Sequence, residues 1–326
     1  MTATYTIFGG ELSYFTRKLE AAMIFYGANF EMKNKNESDA ANIELRSGTH
    51  QVPVLQTPEN WMIADTTPLM HMLDARFPER AMFPAGPLGI LVQVIEEYFD
   101  EWIARTMVHY RWHYPESAAF ASLKMANGNQ EIAERVRKWG PKACRATGTD
   151  SDIQRTAAED EFKRILTAME AQLSQTAYLL GDRPTAVDCV VLGSLWAHIN
   201  MDPDPKKMLA KFPRVLKWCE VEARQWQGGG SLAPFPESTE FARFILAEMP
   251  TTYQPYVLAN KQAQAHQAKA FHAGIYGEEV SYLSRPYPET SRQMLVAGIT
   301  ALNNESEIRQ VNDWLATIEL KPCFTA

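Results

Sequence analysis

The sequence contains no C-x-x-C pair. Its four cysteines, Cys144, Cys189, Cys219 and Cys323, are scattered along the chain. That excludes a dithiol redox motif and a cysteine zinc site and fits a reducing compartment. There is no apolar run of about 18 residues, so no transmembrane helix is expected. The opening stretch "MTATYTIFGGELSYFTRK" lacks the basic segment and apolar segment of a signal peptide, and a cytoplasmic location is the expectation. Positive charge is also scarce. The formal net charge of −7 argues against nucleic-acid binding. "HYRWH" puts His109 and His113 at metal-ligand spacing, but no H-E-x-x-H forms and no third ligand follows, so no metal is expected.

Apolar residues, by contrast, are plentiful. At 326 residues and 46% hydrophobic, the chain has the length for two or three domains and the side chains for a sizeable core. "TYTIF" reads as a first strand. "YFTRKLEAAMIFYG" follows as a helix, with Phe15, Leu19, Ala22 and Met23 at helical spacing and Gly27 as its stop. "NFEMKNK" is a second strand. "VPVL" and "WMIA" are two more, joined by the turn "QTPEN". "DTTPLMHMLDARFP" closes the segment as a helix that tolerates Pro68 in its first turn. Residues 1–80 thus run β-α-β then β-β-α, a thioredoxin-like order. A Pro/Gly-rich linker occupies 81–88, and residues 89–230 form an all-helical domain. The fold class is a thioredoxin-like α+β domain followed by an all-α domain. Within the second, 88–113 is one long helical pattern and 152–175 another, with 185–200 and 212–226 after them.

The stretch "HQVPVL" is unusual because a proline interrupts a strand. Proline lacks the ladder N–H and is confined to edges, starts and bulges. A cis Val52–Pro53 turn accounts for it. The residue before such a proline can offer its backbone N–H and C=O to an extended peptide, as a sheet edge does. The alternative is an ordinary edge strand.

The domain order resembles the glutathione S-transferase family, serine-type, of zeta/theta-like or bacterial kind. Four motifs carry the resemblance over roughly residues 4–225: "SYFTRKL", "QVPVL", "ADTTPLMHML" and "DRPTAVDCVV". It implies glutathione as co-substrate, held by Gln51, Val52, Pro53, Asp65 and Thr66. Asp65 and Thr66 open a helix whose first-turn N–H groups suit a carboxylate, and Asp65 can accept from an ammonium; either residue can also simply cap that helix. Ser13 matches the family's catalytic position, where a hydroxyl favours the thiolate of a thiol with pKa near ~8.5. Ser13 can equally cap the helix it precedes. Tyr14, standing where the family often has proline, is the rival hydroxyl.

Trp102, Tyr110 and Arg111 on the long helix are candidates for an electrophile pocket, an aromatic lining with one cation. Thr185 and Asp188 fit a structural capping box. The run "RVRKWGPKACR" reads as a solvated face, and Arg17 and Lys18 either support the site's positive field or lie in solvent. Cys189 reads as buried and inert.

The implied function is attack of an activated glutathione thiol on a small hydrophobic electrophile, by a homodimer with no nucleic-acid or membrane partner. Conjugation, dehalogenation, ether cleavage and isomerisation are not distinguished. The alternative is a non-catalytic binding or scaffold protein on the same fold. Thiol–disulfide exchange lacks a cysteine at position 13. Residues 231–326 lie outside the resemblance. Their helical spacing (Phe241, Phe244, Ile245, Met249; Ile308, Val311, Trp314, Leu315) and the aromatic-rich "IYGEEVSYLSRPYPE", an ordered loop or short hairpin, predict an ordered extension packed on the helical domain.

Overall fold

The computed structural model describes residues 4–325. The N-terminal domain contains β1 (Tyr5–Gly9), α1 (Tyr14–Tyr26), β2 (Phe30–Asn34), α2 (Ala40–Ser47), β3 (Val54–Gln56), β4 (Met62–Ala64) and α3 (Thr66–Arg76). The sheet order is β2-β1-β3-β4, with β2 parallel to β1 and the other pairs antiparallel. This is the thioredoxin-like arrangement. β1 is central and buried at every residue, while the edge strand β2 is mostly exposed. α1 starts where the Ser13 Oγ accepts the Thr16 N–H at 3.2 Å, and it stops at Gly27, whose φ of 64° favours glycine. α2 has no counterpart in the sequence reading. It buries only Ile43, so no apolar stripe reveals it.

The helical domain begins with α4 (Pro87–Glu97), a π-helical segment (Tyr98–Ile103) and α5 (Ala104–His113), which stack as one column. α6 (Pro115–Met125), α7 (Gln130–Arg137) and α8 (Gly140–Ala146) follow, so the cationic run at 135–145 belongs to two short helices. Then come α9 (Asp152–Gln172), α10 (Ala186–Ser194) with a second π-helical segment (Leu195–Ile199), α11 (Pro203–Leu209) and α12 (Pro213–Glu220). The capping box is present, Asp188 accepting the Thr185 N–H at 2.8 Å. α10 packs directly on α1. Gly193 makes that approach possible, since a Cβ there would lie 2.8 Å from the Tyr14 carbonyl oxygen and 2.9 Å from the Lys18 nitrogen.

The extension folds into α13 (Glu240–Glu248), α14 (Tyr253–Ala265), the hairpin β5 (Ala270–Ile275)–β6 (Glu278–Leu283), α15 (Pro286–Thr300) and α16 (Glu305–Thr317). "RPYPE" is not a loop. It opens α15 with proline in the first turn, where the missing N–H costs nothing. The apolar faces of these elements join the same core as the helical domain. α4 is consequently wrapped on all sides, with every residue from Gly89 to Glu97 buried. Tyr253 donates to Glu97 at 3.0 Å, Ser291 also bonds Glu97, and Arg285 pairs with Glu101 at 3.0 Å. The extension also reaches the N-terminal domain, where Tyr287, Thr290, Ser291 and Met294 share a small cleft with Asp65, Thr67 and Pro68. Among the described residues no helix is long and apolar enough to cross a membrane.

Candidate active site

Sheet register brings the N-terminal candidates to one end of the domain. Phe8 pairs with Val54, and Val54 pairs with Ala64. Continuing both ladders sets Gly9 and Gly10, which lead to Ser13, beside Pro53 and Val52, and sets Asp65 and Thr66 on their other side. The Val52–Pro53 peptide is cis. Val52 lies before the first paired residue of β3, so its N–H and C=O are outside the strand pairing.

A cleft of about 310 Å³ opens at this end, lined by Ser13, Val52, Gly10, Asn34, Lys35 and Lys124 among others. Lys35 was not anticipated. It is buried, and its ammonium donates to the carbonyls of His50 (2.6 Å) and Gln51 (3.3 Å), which steadies the segment leading into Val52. Gln51 itself is exposed and does not line the cleft; its N–H donates to Thr49 Oγ1 at 3.1 Å.

Asp65 stands at φ 68°, ψ 115°, in a region that non-glycine residues rarely occupy, at a cost of about 1–3 kcal/mol. Its side chain is exposed and makes no capping bond to α3. Desolvation pushes its carboxyl above the ordinary value, with Lys18 opposing. Thr66 is buried at the first position of the helix.

Ser13 and Tyr14 diverge. Ser13 lines the cleft beside Val52, and because its oxygen accepts from Thr16, its own proton is free to donate elsewhere. Tyr14 turns into the helical domain and donates to the Phe99 carbonyl at 3.1 Å. Burial, with Asp100, Glu96 and Glu101 nearby, raises its phenol well above the usual value. Tyr14 lines a different space, a cavity of about 170 Å³ between the two domains and the extension.

Trp102 lines that cavity too, whereas Tyr110 and Arg111 do not. Tyr110 is buried with its hydroxyl 3.4 Å from Met208 Sδ. Arg111 pairs with Asp202 at 2.9 Å and donates to the carbonyls of Leu12 (2.6 Å) and Ala197, so it ties the loop before α1 to the helical domain. The cavity's cations are instead Arg105 and Arg285, with His198 from the second π-helical segment and Tyr256 from α14. Trp102 and Arg105 share a helix face at i, i+3, a spacing legible in the sequence. Arg285 and Tyr256 come from the extension and are not legible there.

Lys18, read as solvated or field-setting, is fully buried. It donates to Thr67 Oγ1 (3.0 Å), to Asp100 (2.8 and 2.9 Å) and to Glu96. This cluster joins α1, α3 and the long helical column. His109 bonds Glu159 at 2.9 Å and stacks on His113, and among the described residues no group of His, Cys, Asp or Glu could hold a metal. All four cysteines are free and buried; burial raises the Cys189 thiol well above the usual value.

Residues 129–221, from α7 through α12, match the model of the glutathione S-transferase C-terminal domain. No curated protein sequence matches this one. The chain resembles several solved structures at low identity. One is a glutathione S-transferase from Methylobacillus flagellatus with glutathione bound, at 13% identity and TM-score 0.43, covering 68% of this chain and 97% of that one. Another is a glutathione S-transferase from Rhodospirillum rubrum, at 14% identity and TM-score 0.45, covering 73% and 98%. A third is the β-etherase LigF from Sphingobium, at 19% identity and TM-score 0.47, covering 68% and 94%. Likenesses of this degree carry no residue role or substrate across. Residues 129–221 thus match a glutathione S-transferase C-terminal domain, and they follow a thioredoxin-like sheet with a cis-proline cleft at its end.

Proposed function

We propose that the protein is a glutathione transferase that binds glutathione at the end of the N-terminal sheet and uses Ser13 to favour its thiolate. The observation that carries this reading is that three dissimilar features lie at one end of the sheet, Val52 and Ser13 in one cleft and Asp65 in the small cleft beside the extension. They are the unpaired backbone of Val52, the outlier backbone of Asp65 at the start of α3, and the Ser13 hydroxyl with its proton uncommitted. An extended anionic tripeptide needs each of them. Val52 continues the sheet toward the peptide backbone. The first turn of α3, with Thr66, receives the γ-glutamyl carboxylate, and Asp65 accepts from its ammonium. Lys35 and Lys124, ion-paired with Glu44 and Glu11, line the same cleft and are the cations there for the glycine carboxylate; Gln51 lies in the segment before Val52, outside the cleft lining.

Ser13 donates to the sulfur. Lowering a thiol pKa by about two units requires roughly 2.7 kcal/mol, within the range of a hydrogen bond to a charged group together with a helix N-terminus. The thiolate then forms a bond to an electrophilic carbon, and the leaving group departs with its electron pair. The electrophile sits in the inter-domain cavity behind Tyr14 and Phe15. The family resemblance also supports a homodimer, which sedimentation velocity tests.

Calorimetry with millimolar glutathione decides the binding step. Saturable heat and a raised melting temperature are expected, and Asp65→Ala should weaken binding about 10- to 100-fold, the worth of one charge-assisted hydrogen bond. Absence of both heat and thermal shift refutes the site.

A further inference from the structure

The inter-domain cavity is built around a buried cation whose donors are not all used. The Arg105 side chain is 4% exposed, and its Nη2 donates to Glu161 at 3.1 Å. Its Nε and Nη1 have no acceptor among the described residues. Its guanidinium carbon lies 3.8 Å from the centre of the Trp102 ring and 5.7 Å from that of Tyr276. Buried N–H groups are rarely left unpaired, because each forfeits its hydration. Arg105 lines the cavity, so an acceptor held there would satisfy them.

Two other features define what that acceptor belongs to. The first is shape. About 170 Å³ is close to the size of an engineered cavity, near 150 Å³, that binds benzene, and Tyr14, Phe15, Trp102 and Tyr256 supply flat apolar walls. The second is charge. The lining carries two guanidinium groups, Arg105 and Arg285, against one carboxyl, Glu101. Burial raises that carboxyl to about 7, against the pull of Arg285, so near neutral pH it is only partly charged. Burial keeps His198 neutral, with its Nδ1 unpartnered. Arg105 has Glu161 as its ion-pair partner and Arg285 has Glu101, so the partial charge of Glu101 leaves the cavity an incompletely balanced positive charge. Both π-helical segments border it, one through Glu101 and Trp102 and the other through His198, which fits the concentration of such segments at functional sites.

We propose that this cavity takes a single-ring aromatic carboxylate, its ring among the aromatic walls and its carboxylate on the free donors of Arg105. The assignment of that ligand as the electrophilic substrate rests on the transferase reading; its binding does not. The class is narrower than a small hydrophobic electrophile, because a neutral ring of the same shape leaves the Arg105 donors unpaired.

The test is calorimetry on the full chain without glutathione, using phenylacetate and its neutral twin phenylacetamide as probes. Phenylacetate is expected to bind at least tenfold more tightly, and Arg105→Gln should abolish the difference. Equal affinity for the two probes, or preference for the amide, overturns the proposal in the unmodified protein, whether or not Arg105→Gln folds with Glu161 uncompensated. Ala146→Trp, filling the cavity from the end of α8, should remove phenylacetate binding; retention there would place the ligand elsewhere and also overturn it. Failure of glutathione to bind would sink the transferase reading while leaving this result intact.

Discussion

Replacing Lys18 with methionine removes the only cation of a buried cluster. In the native protein its ammonium, with no exposed surface, sits on Asp100 at 2.8 Å, on Thr67 at 3.0 Å and on Glu96. Desolvation opposes its charge, but Asp100 and Glu96 outweigh that and raise its pKa, so it stays protonated throughout the accessible range. Burial raises Asp100 as well, from 3.8 to about 7, even with Lys18 pulling it down. The sign follows. A carboxyl whose folded pKa is raised binds more protons in the folded state, so its contribution is fully present below about pH 4 and is lost as pH rises toward 7. At about 1.36 kcal/mol per pKa unit, that single proton is worth about 4 kcal/mol across the window.

Without Lys18 the shift grows and the window extends above pH 7. At pH 8 the variant must either bury two uncompensated carboxylates or hold protons against solvent, a loss of about 3–5 kcal/mol. At pH 5 Asp100 is protonated and the loss shrinks toward the missing hydrogen bonds, about 1–2 kcal/mol. Urea denaturation followed by circular dichroism at pH 5, 6.5 and 8 measures it. A loss below about 1 kcal/mol at pH 8, or one that becomes smaller as pH rises, would refute the argument.

Ser13→Ala should cost about 1 kcal/mol as a lost cap, and should raise the pKa of bound thiol, read as thiolate absorbance against pH, with little change in glutathione affinity. Tyr14→Phe should leave that pKa unchanged, because its hydroxyl is committed to Phe99; a raised value in Tyr14→Phe alone would transfer the role. Gly193→Ala forces a methyl against the backbone of α1 and should destabilise by about 1–3 kcal/mol by urea titration. A chain truncated before residue 240 loses the cover of α4 and should aggregate or melt lower in a thermal scan; unaltered solubility and melting would show the extension to be dispensable.

Much of the N-terminal domain was legible because its signals are local. A proline just before a strand, a capped helix and an acid opening the next helix each fit within about ten residues of sequence, and the short register of β1, β3 and β4 then brings them together. α2 was not legible, since a helix with one buried residue has no apolar period. The cavity was only half legible. Trp102 lines it, whereas Arg111, the cation the sequence puts forward, does not. At about 100° per residue, six residues carry a side chain most of the way round to another face, and Arg111 is consumed by Asp202 there. Arg105 is marked out by Glu161 and Tyr276, partners too distant in sequence for any pattern to announce.

The wrapping of α4 also has a consequence in time. Its last residue, Glu97, is synthesised about 190 residues before α15 begins at Pro286, roughly 10–40 s at ribosomal rates. Until Tyr253, Arg285 and Ser291 are made in turn, Glu97 and Glu101 lack these partners and the extension does not cover α4. The nascent chain therefore holds an unfinished apolar surface until α13 to α16 are made.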